Sequence, residues 1–180
     1  MDQTYDHDPD LAAELRQGAG REWAAEAAED EELTAVHDRR RFDMSTVGKE
    51  MVNRGDRVSV VYAGHTFSGR VVAGGVDHVT IEGSGQRADI RLDAGYWSIL
   101  PVGQEIFSPG TATDETLTAR LAEYAESESP LRLTLAEGEM VIGRVSVVAG
   151  DHVELTDADE RALHVPLGLI LGIVRSGEYQ

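Results

Sequence analysis

A chain of 180 residues with 41% hydrophobic and 27% charged side chains has the composition of one folded domain or two small ones. Its formal charge of −17 repels phosphate backbones and anionic membranes at long range, so nucleic acid would need a locally basic patch. With no cysteine, a disulfide framework, a thiolate nucleophile and Cys-ligated zinc or iron–sulfur sites are excluded.

No apolar run approaches the ~20 residues of a membrane-crossing helix. The acidic start MDQTYDHDPD has no apolar stretch of the secretory kind. The expectation is a cytoplasmic protein without membrane contact.

Residues 1–54 read as an acidic helical arm, and 1–44 hold 13 acidic against 5 basic side chains. Residues 1–10 are too polar and acidic to expect order. A short helix is predicted from Leu11 to Gln17, and a longer one from Arg21 to about Arg39, rich in Ala and Glu. Glu29-Asp30-Glu31-Glu32 interrupts any apolar stripe between Trp23 and Leu33 or Val36, so this helix should be largely solvated. Arg39-Arg40-Arg41 then suits a helix C-terminus. A further helix is predicted from Ser45 to Asn53, capped by Ser45 or Thr46 and stopped by Gly55.

At Asp56 the period changes to two. Val58, Val60 and Tyr62 alternate, Ala63-Gly64-His65 turns, and Phe67 to Val72 runs extended. After Gly74-Gly75, Val79 and Ile81 share one face of a third strand. Gly83-Ser84-Gly85 turns again, and Ala88–Leu92 and Tyr96–Leu100 supply two more strands. Five short strands at this spacing suggest a closed barrel over 55–102, since closure leaves fewer exposed edges. Residues 103–129 read as a linker plus a helix over 114–126, with Leu117, Leu121 and Tyr124 on one stripe. A second barrel is expected over 130–175, from Leu131, Leu133 and Leu135, Met140–Val148, Val153 and Leu155, Leu163–Val165 and Ile170–Val174.

Shifting the chain by 74 positions overlays the two halves. Gly69-Arg70-Val71 falls on Gly143-Arg144-Val145, and Asp77-His78-Val79 on Asp151-His152-Val153. Ala88 and Ile99 meet Ala162 and Ile173. Matched tripeptides in step with matched strands indicate duplication. The first strands slip by one residue, with Val58 against Leu131 or Leu133. The first half has 5 acidic and 4 basic residues, the second 7 and 4.

The order of alternating strand, tight turn, apolar-x-Gly strand (Val141-Ile142-Gly143), Asp-turn and closing Val165-Pro166-Leu167…Ile170…Ile173 segment resembles the Sm-like proteins, including the bacterial Hfq family. The first half shows the same order from Arg57 to Leu100. It is also similar to the C-terminal barrel of biotin protein ligases. The tandem arrangement resembles uncharacterised proteins of high-GC Gram-positive bacteria. The fold implied is mainly β with helical additions: two Sm/SH3-like five-stranded barrels behind an acidic helical arm. In Sm-like proteins RNA is contacted just after the Asp-turn and by an Arg-Gly or Lys-His pair near the fourth strand. That pair is absent here, so the resemblance carries over Asp77, His78, Arg91, Asp151, His152 and His164 only as candidate contacts.

Each candidate also has a structural reading. Asp77 and Asp151 can accept backbone hydrogen bonds in turns, with His78 and His152 opening the next strand outward. Gly69 and Gly143 permit bending, and Arg70 and Arg144 then point outward as ion-pair partners or phosphate contacts. Arg57, Arg70, Arg87 and Arg91 lie near Tyr62, Phe67, Tyr96 and Trp97, a mixture that can stack single strands, although some of these aromatics must fill the interior. No metal-ligand spacing, phosphate-binding loop, nucleophile elbow or paired carboxylates stand out, so neither catalysis nor a cofactor is expected. The leading reading is a non-enzymatic binding or assembly module that uses barrel edges and loops on a protein partner or a second copy. RNA binding by the first barrel is the alternative.

Overall fold

Beyond residue 42 the chain is organised around two apolar cores that lie along one continuous β-sheet. The computed structural model describes residues 23, 28–31, 42–101, 108–127 and 129–176. Trp23 and residues 28–31 are helical and exposed, in keeping with a solvated helix there. The rest of that helix, the Leu11–Gln17 helix, residues 1–10 and Arg39–Arg41 lie outside the described residues.

Helix α1 (Met44–Arg54) is capped by Asp43, whose carboxylate accepts from the Thr46 backbone N–H and hydroxyl, both at 2.8 Å. The cap therefore sits two or three residues earlier than Ser45 or Thr46, the expected ones. The Thr46 N–H holds the Asp43 carboxyl below its ordinary range. Gly55 ends the helix in the left-handed region at φ 62°, where a side chain would be strained. Met51 and Val52 of α1 enter the first core.

Strands β1 (Arg57–Tyr62), β2 (His65–Gly74), β3 (His78–Gly83), β4 (Gln86–Arg91) and β5 (Gly95–Ile99) follow, then the two-residue β6 (Thr111–Ala112). Helix α2 (Leu117–Glu126) leads into β7 (Leu131–Leu135), β8 (Met140–Val148), β9 (His152–Thr156), β10 (Ala162–Pro166), a 3-10 turn at Leu167–Leu169, and β11 (Ile170–Ser176). The sheet runs β10-β9-β8-β7-β11-β4-β3-β2-β1-β5, with antiparallel neighbours; β6 pairs parallel with β2 off this path. No helix among the described residues is long and apolar enough to cross a membrane.

The fold is thus mainly β with helical additions, but the sheet is open, where two closed five-stranded barrels were expected. Alternating burial and tight turns are common to a closed barrel and a bent open sheet. Only the distant pairing differs, and here the outer side of β4 takes β11.

The pairing registers recur from one half to the other over a longer stretch than the sequence overlay indicates. Both second strands carry a bulge at the matching place, between Val71 and Ala73 and between Val145 and Val147. The helices match too: Asp43 caps α1 and Thr116 caps α2, each standing equally far ahead of the first buried residue of the strand that follows, Val58 or Leu131. The overlay is not gapless. Ala63-Gly64 makes a two-residue turn, whereas Leu135 and Glu139 are bridged by three residues, so Val58 corresponds to Leu131. The hairpin from Asp157 to Arg161 is one residue longer than that from Gly83 to Gln86. Ile90 therefore corresponds to Val165, and Ala88 to Leu163 instead of Ala162. Across the first strands, Trp97 corresponds to Ile173, displacing the Ile99 match.

Candidate functional site

The two halves are joined by β4 and β11, with Ile90 opposite Gly172, Asp89 opposite Ile173, Ala88 opposite Val174 and Arg87 opposite Arg175. Strand β11 serves both cores. Ile170 and Ile173 belong to the second, while Val174 and Leu171 pack against the first. Gly172 lies against the Tyr62 ring, where an added Cβ would come within 3.1 Å. The turns of the first hairpins also meet, since a His65 ring nitrogen lies 3.1 Å from the Gly138 carbonyl.

On the α2 side of the joint, Asp89 is only 1% exposed. Its carboxylate accepts from the Thr80 hydroxyl at 2.6 Å and from the Tyr124 hydroxyl. The Arg120 and Arg175 guanidinium groups lie 5.5 and 5.0 Å from the centre of the Tyr124 ring. Burial, helped by the Asp89 charge, pushes the Tyr124 phenol up to about 12. The unfolded phenol titrates near 10, so the native state keeps the proton longer. The associated stability is fully present below about pH 10 and is lost between about 10 and 12. Tyr124→Phe should flatten that part of a stability–pH profile measured by urea unfolding, and an unchanged slope would refute the assignment.

The two Asp-His pairs have diverged. Asp77 accepts from the Leu117 N–H at 2.8 Å and from His78 Nδ1 at 3.0 Å, tying the start of α2 to the first half. His78 is buried at 1% exposure, where the structural reading of the sequence placed it on the outward face. In the second half the Asp151 side chain is 93% exposed, with His152 Nδ1 at 2.7 Å. The His152 hydrogen bond lowers the Asp151 carboxyl below its ordinary range. His164 stands beside His152, ring centres 5.4 Å apart, and 3.9 Å from Glu154. Among the described residues no group of three or more His, Asp or Glu side chains is arranged to hold a metal.

Arg57, Arg70, Arg87 and Arg175 stand in one cross-strand row that also holds Glu82. Arg91 is bonded to Asp93, Arg70 donates to the Ser108 carbonyl, and Arg144 is exposed on β8. Of the four aromatics near them, Tyr62 is buried, Phe67 and Trp97 pack against the first core, and only Tyr96 is largely exposed. Gly69 and Gly143 sit where a Cβ would fall 2.3 Å from the Glu82 carbonyl oxygen and 2.8 Å from that of Thr156. Close backbone approach explains both.

The sheet ends on two strands without an outer neighbour among the described residues, β5 and β10. Because Leu100 donates to the Arg57 carbonyl, alternation along the ladder turns the N–H and C=O groups of Gly95, Trp97 and Ile99 outward. Because Leu167 donates to the Asp151 carbonyl, those of Ala162 and His164 face outward on β10, as does the carbonyl of Pro166. Tyr96 is 66% exposed on β5 and Ile99 53%. Neither edge nor the Asp89–Tyr124 network was singled out from sequence. An aspartate between Ala88 and Ile90 has the alternation of a solvated position, and nothing local marks which strands lack neighbours.

No protein-family model matches the chain, and no curated protein matches it significantly.

Proposed function

We propose that this chain is a non-enzymatic assembly module that extends its sheet by pairing the free edges β5 and β10 with another polypeptide strand. The observation that carries this reading is a pair of strand edges with outward-facing backbone groups, one of them bearing exposed Tyr96 and Ile99. The Sm-like resemblance is kept as a reading of each repeat, a helix followed by five strands bent around its own core. The RNA alternative has less to support it, because Arg91 is engaged with Asp93, His78 is buried and the chain as a whole is acidic.

The test is a photo-activatable phenylalanine analogue in place of Tyr96, irradiated in cells. Protein adducts are the expected result. RNA adducts would favour the alternative, and the absence of any macromolecular adduct would overturn the edge-pairing reading.

A further inference from the structure

We propose that the outward face of the first half holds an extended segment of another protein bearing an acidic, a basic and an acidic side chain at alternate positions. The site is the row Arg57, Arg70, Glu82, Arg87 and Arg175, which crosses β1, β2, β3, β4 and β11 in turn. It lies on a face of the sheet, so it is separate from the edges β5 and β10 and does not depend on their pairing.

Alternation places the whole row on one side. Its members adjoin, in sequence, Val58, Val71, Ile81, Ala88 and Val174, all of the first core, and so point away from that core. Arg57 and Glu82 are exposed, and Arg70, Arg87 and Arg175 are half-buried.

The row is unsatisfied in both signs. Two arginines stand directly opposite one another at each end, a relation in which like charges destabilise a sheet. Among the described residues Arg57, Glu82, Arg87 and Arg175 form no ion pair. Arg87 Nε is buried without a hydrogen-bond partner among them. Arg70 donates to the Ser108 carbonyl, and Arg175 lies 5.0 Å from the centre of the Tyr124 ring. Along the row the order of charge is two cations, one anion and two cations.

Strand spacing converts that order into distances. Neighbouring strands lie about 4.8 Å apart, so the midpoints of the two arginine pairs are about 14 Å apart, with Glu82 midway. In an extended chain, side chains on one face recur about every 6.8 Å, so residues four apart span about 13.6 Å. Two carboxylates at that separation would each meet a pair of guanidinium groups, and a lysine or arginine between them would meet Glu82. Beside the row on the same face, Ser98, Ser59 and Ser68 carry only small hydroxyl side chains, so a chain laid along the arginines meets no bulk there.

The same order selects against other occupants. A nucleic-acid backbone carries an anion at every unit and nothing to pair with Glu82. The acidic arm of this chain, residues 1–54, contains no acidic–x–basic–x–acidic run, so the segment belongs to a different protein.

Fluorescence anisotropy on the full-length protein at low ionic strength reads this contact. The probe is a labelled Thr-Glu-Thr-Lys-Thr-Glu-Thr peptide, and the control is Thr-Lys-Thr-Glu-Thr-Glu-Thr, of the same composition and charge. The probe should bind about fivefold more tightly than the control, and its affinity should fall as salt is raised. Arg57→Gln, at an exposed position, should weaken it about threefold, whereas Arg161→Gln, exposed and outside the row, should not. Glu82→Gln should remove most of the preference between the two peptides. Equal binding of both peptides, no binding of either, full affinity in Arg57→Gln or a preference that survives Glu82→Gln would overturn the proposal. A labelled oligouridine bound more tightly than the probe would overturn it in favour of nucleic acid. Capture of protein from Tyr96 is unaffected by any of these results, so the two readings fail separately.

Discussion

Asp89→Ala is expected to destabilise the fold by about 3–5 kcal/mol, the range for breaking a buried, charge-bearing network. The carboxylate is 1% exposed and satisfies the hydroxyls of Thr80 and Tyr124 together. Removing it strands both donors in the joint and leaves Arg120 and Arg175 beside a ring without its acid. Tyr124→Phe removes one partner and should cost less, about 1–3 kcal/mol. The double variant should fall short of the sum of the singles, because the same bond is lost in both. Urea midpoints for the four proteins decide it; an Asp89→Ala loss below 1 kcal/mol would mean that water replaces the network.

The second large effect concerns the glycines that bend the second strand of each repeat. At Gly69 a Cβ would lie 2.3 Å from a carbonyl oxygen of the paired strand, a backbone atom that cannot swing aside. Gly69→Ala should therefore cost about 3 kcal/mol, at the upper end of overpacking penalties. At Gly143 the corresponding separation is 2.8 Å, so Gly143→Ala should be distinctly milder. Equal losses, or a milder Gly69→Ala, would show that the measured approach does not set the cost. Thermal unfolding of the two variants against the parent is sufficient.

Both glycines were legible in the sequence, and so was most of the local structure. Val58, Val60 and Tyr62 announced a half-buried strand by alternation, and Gly69 and Gly143 marked the bends because no side chain fits there. Leu117, Leu121 and Tyr124 announced a helix with one apolar face, as found. What stayed hidden depends on distant pairing. The hairpin Asp157–Arg161 absorbs one extra residue, and the shift carries all of β10 with it, which identities such as Ala88 and Ala162 concealed. The choice between closed barrels and one open sheet turns on whether β4 meets β5 or β11, and the two outcomes share every local signal. His78 and Asp89 have the alternation of surface residues; the buried Asp89 is covered by Tyr124 of α2, which arrives from later in the chain, and the start of that helix bonds Asp77 beside His78.

The sharing of β11 by both cores bears on the order in which the protein can mature. The chain emerges from the ribosome with β1 to β5 long before Ile170–Ser176. Until then, the first core lacks Val174 and Leu171 along one flank, and the outer edge of β4 stands open. The first repeat is thus finished by the last strand of the second. A ribosome stalled short of Ile170 would hold an incomplete first repeat whose open edge fits a strand supplied by another nascent chain.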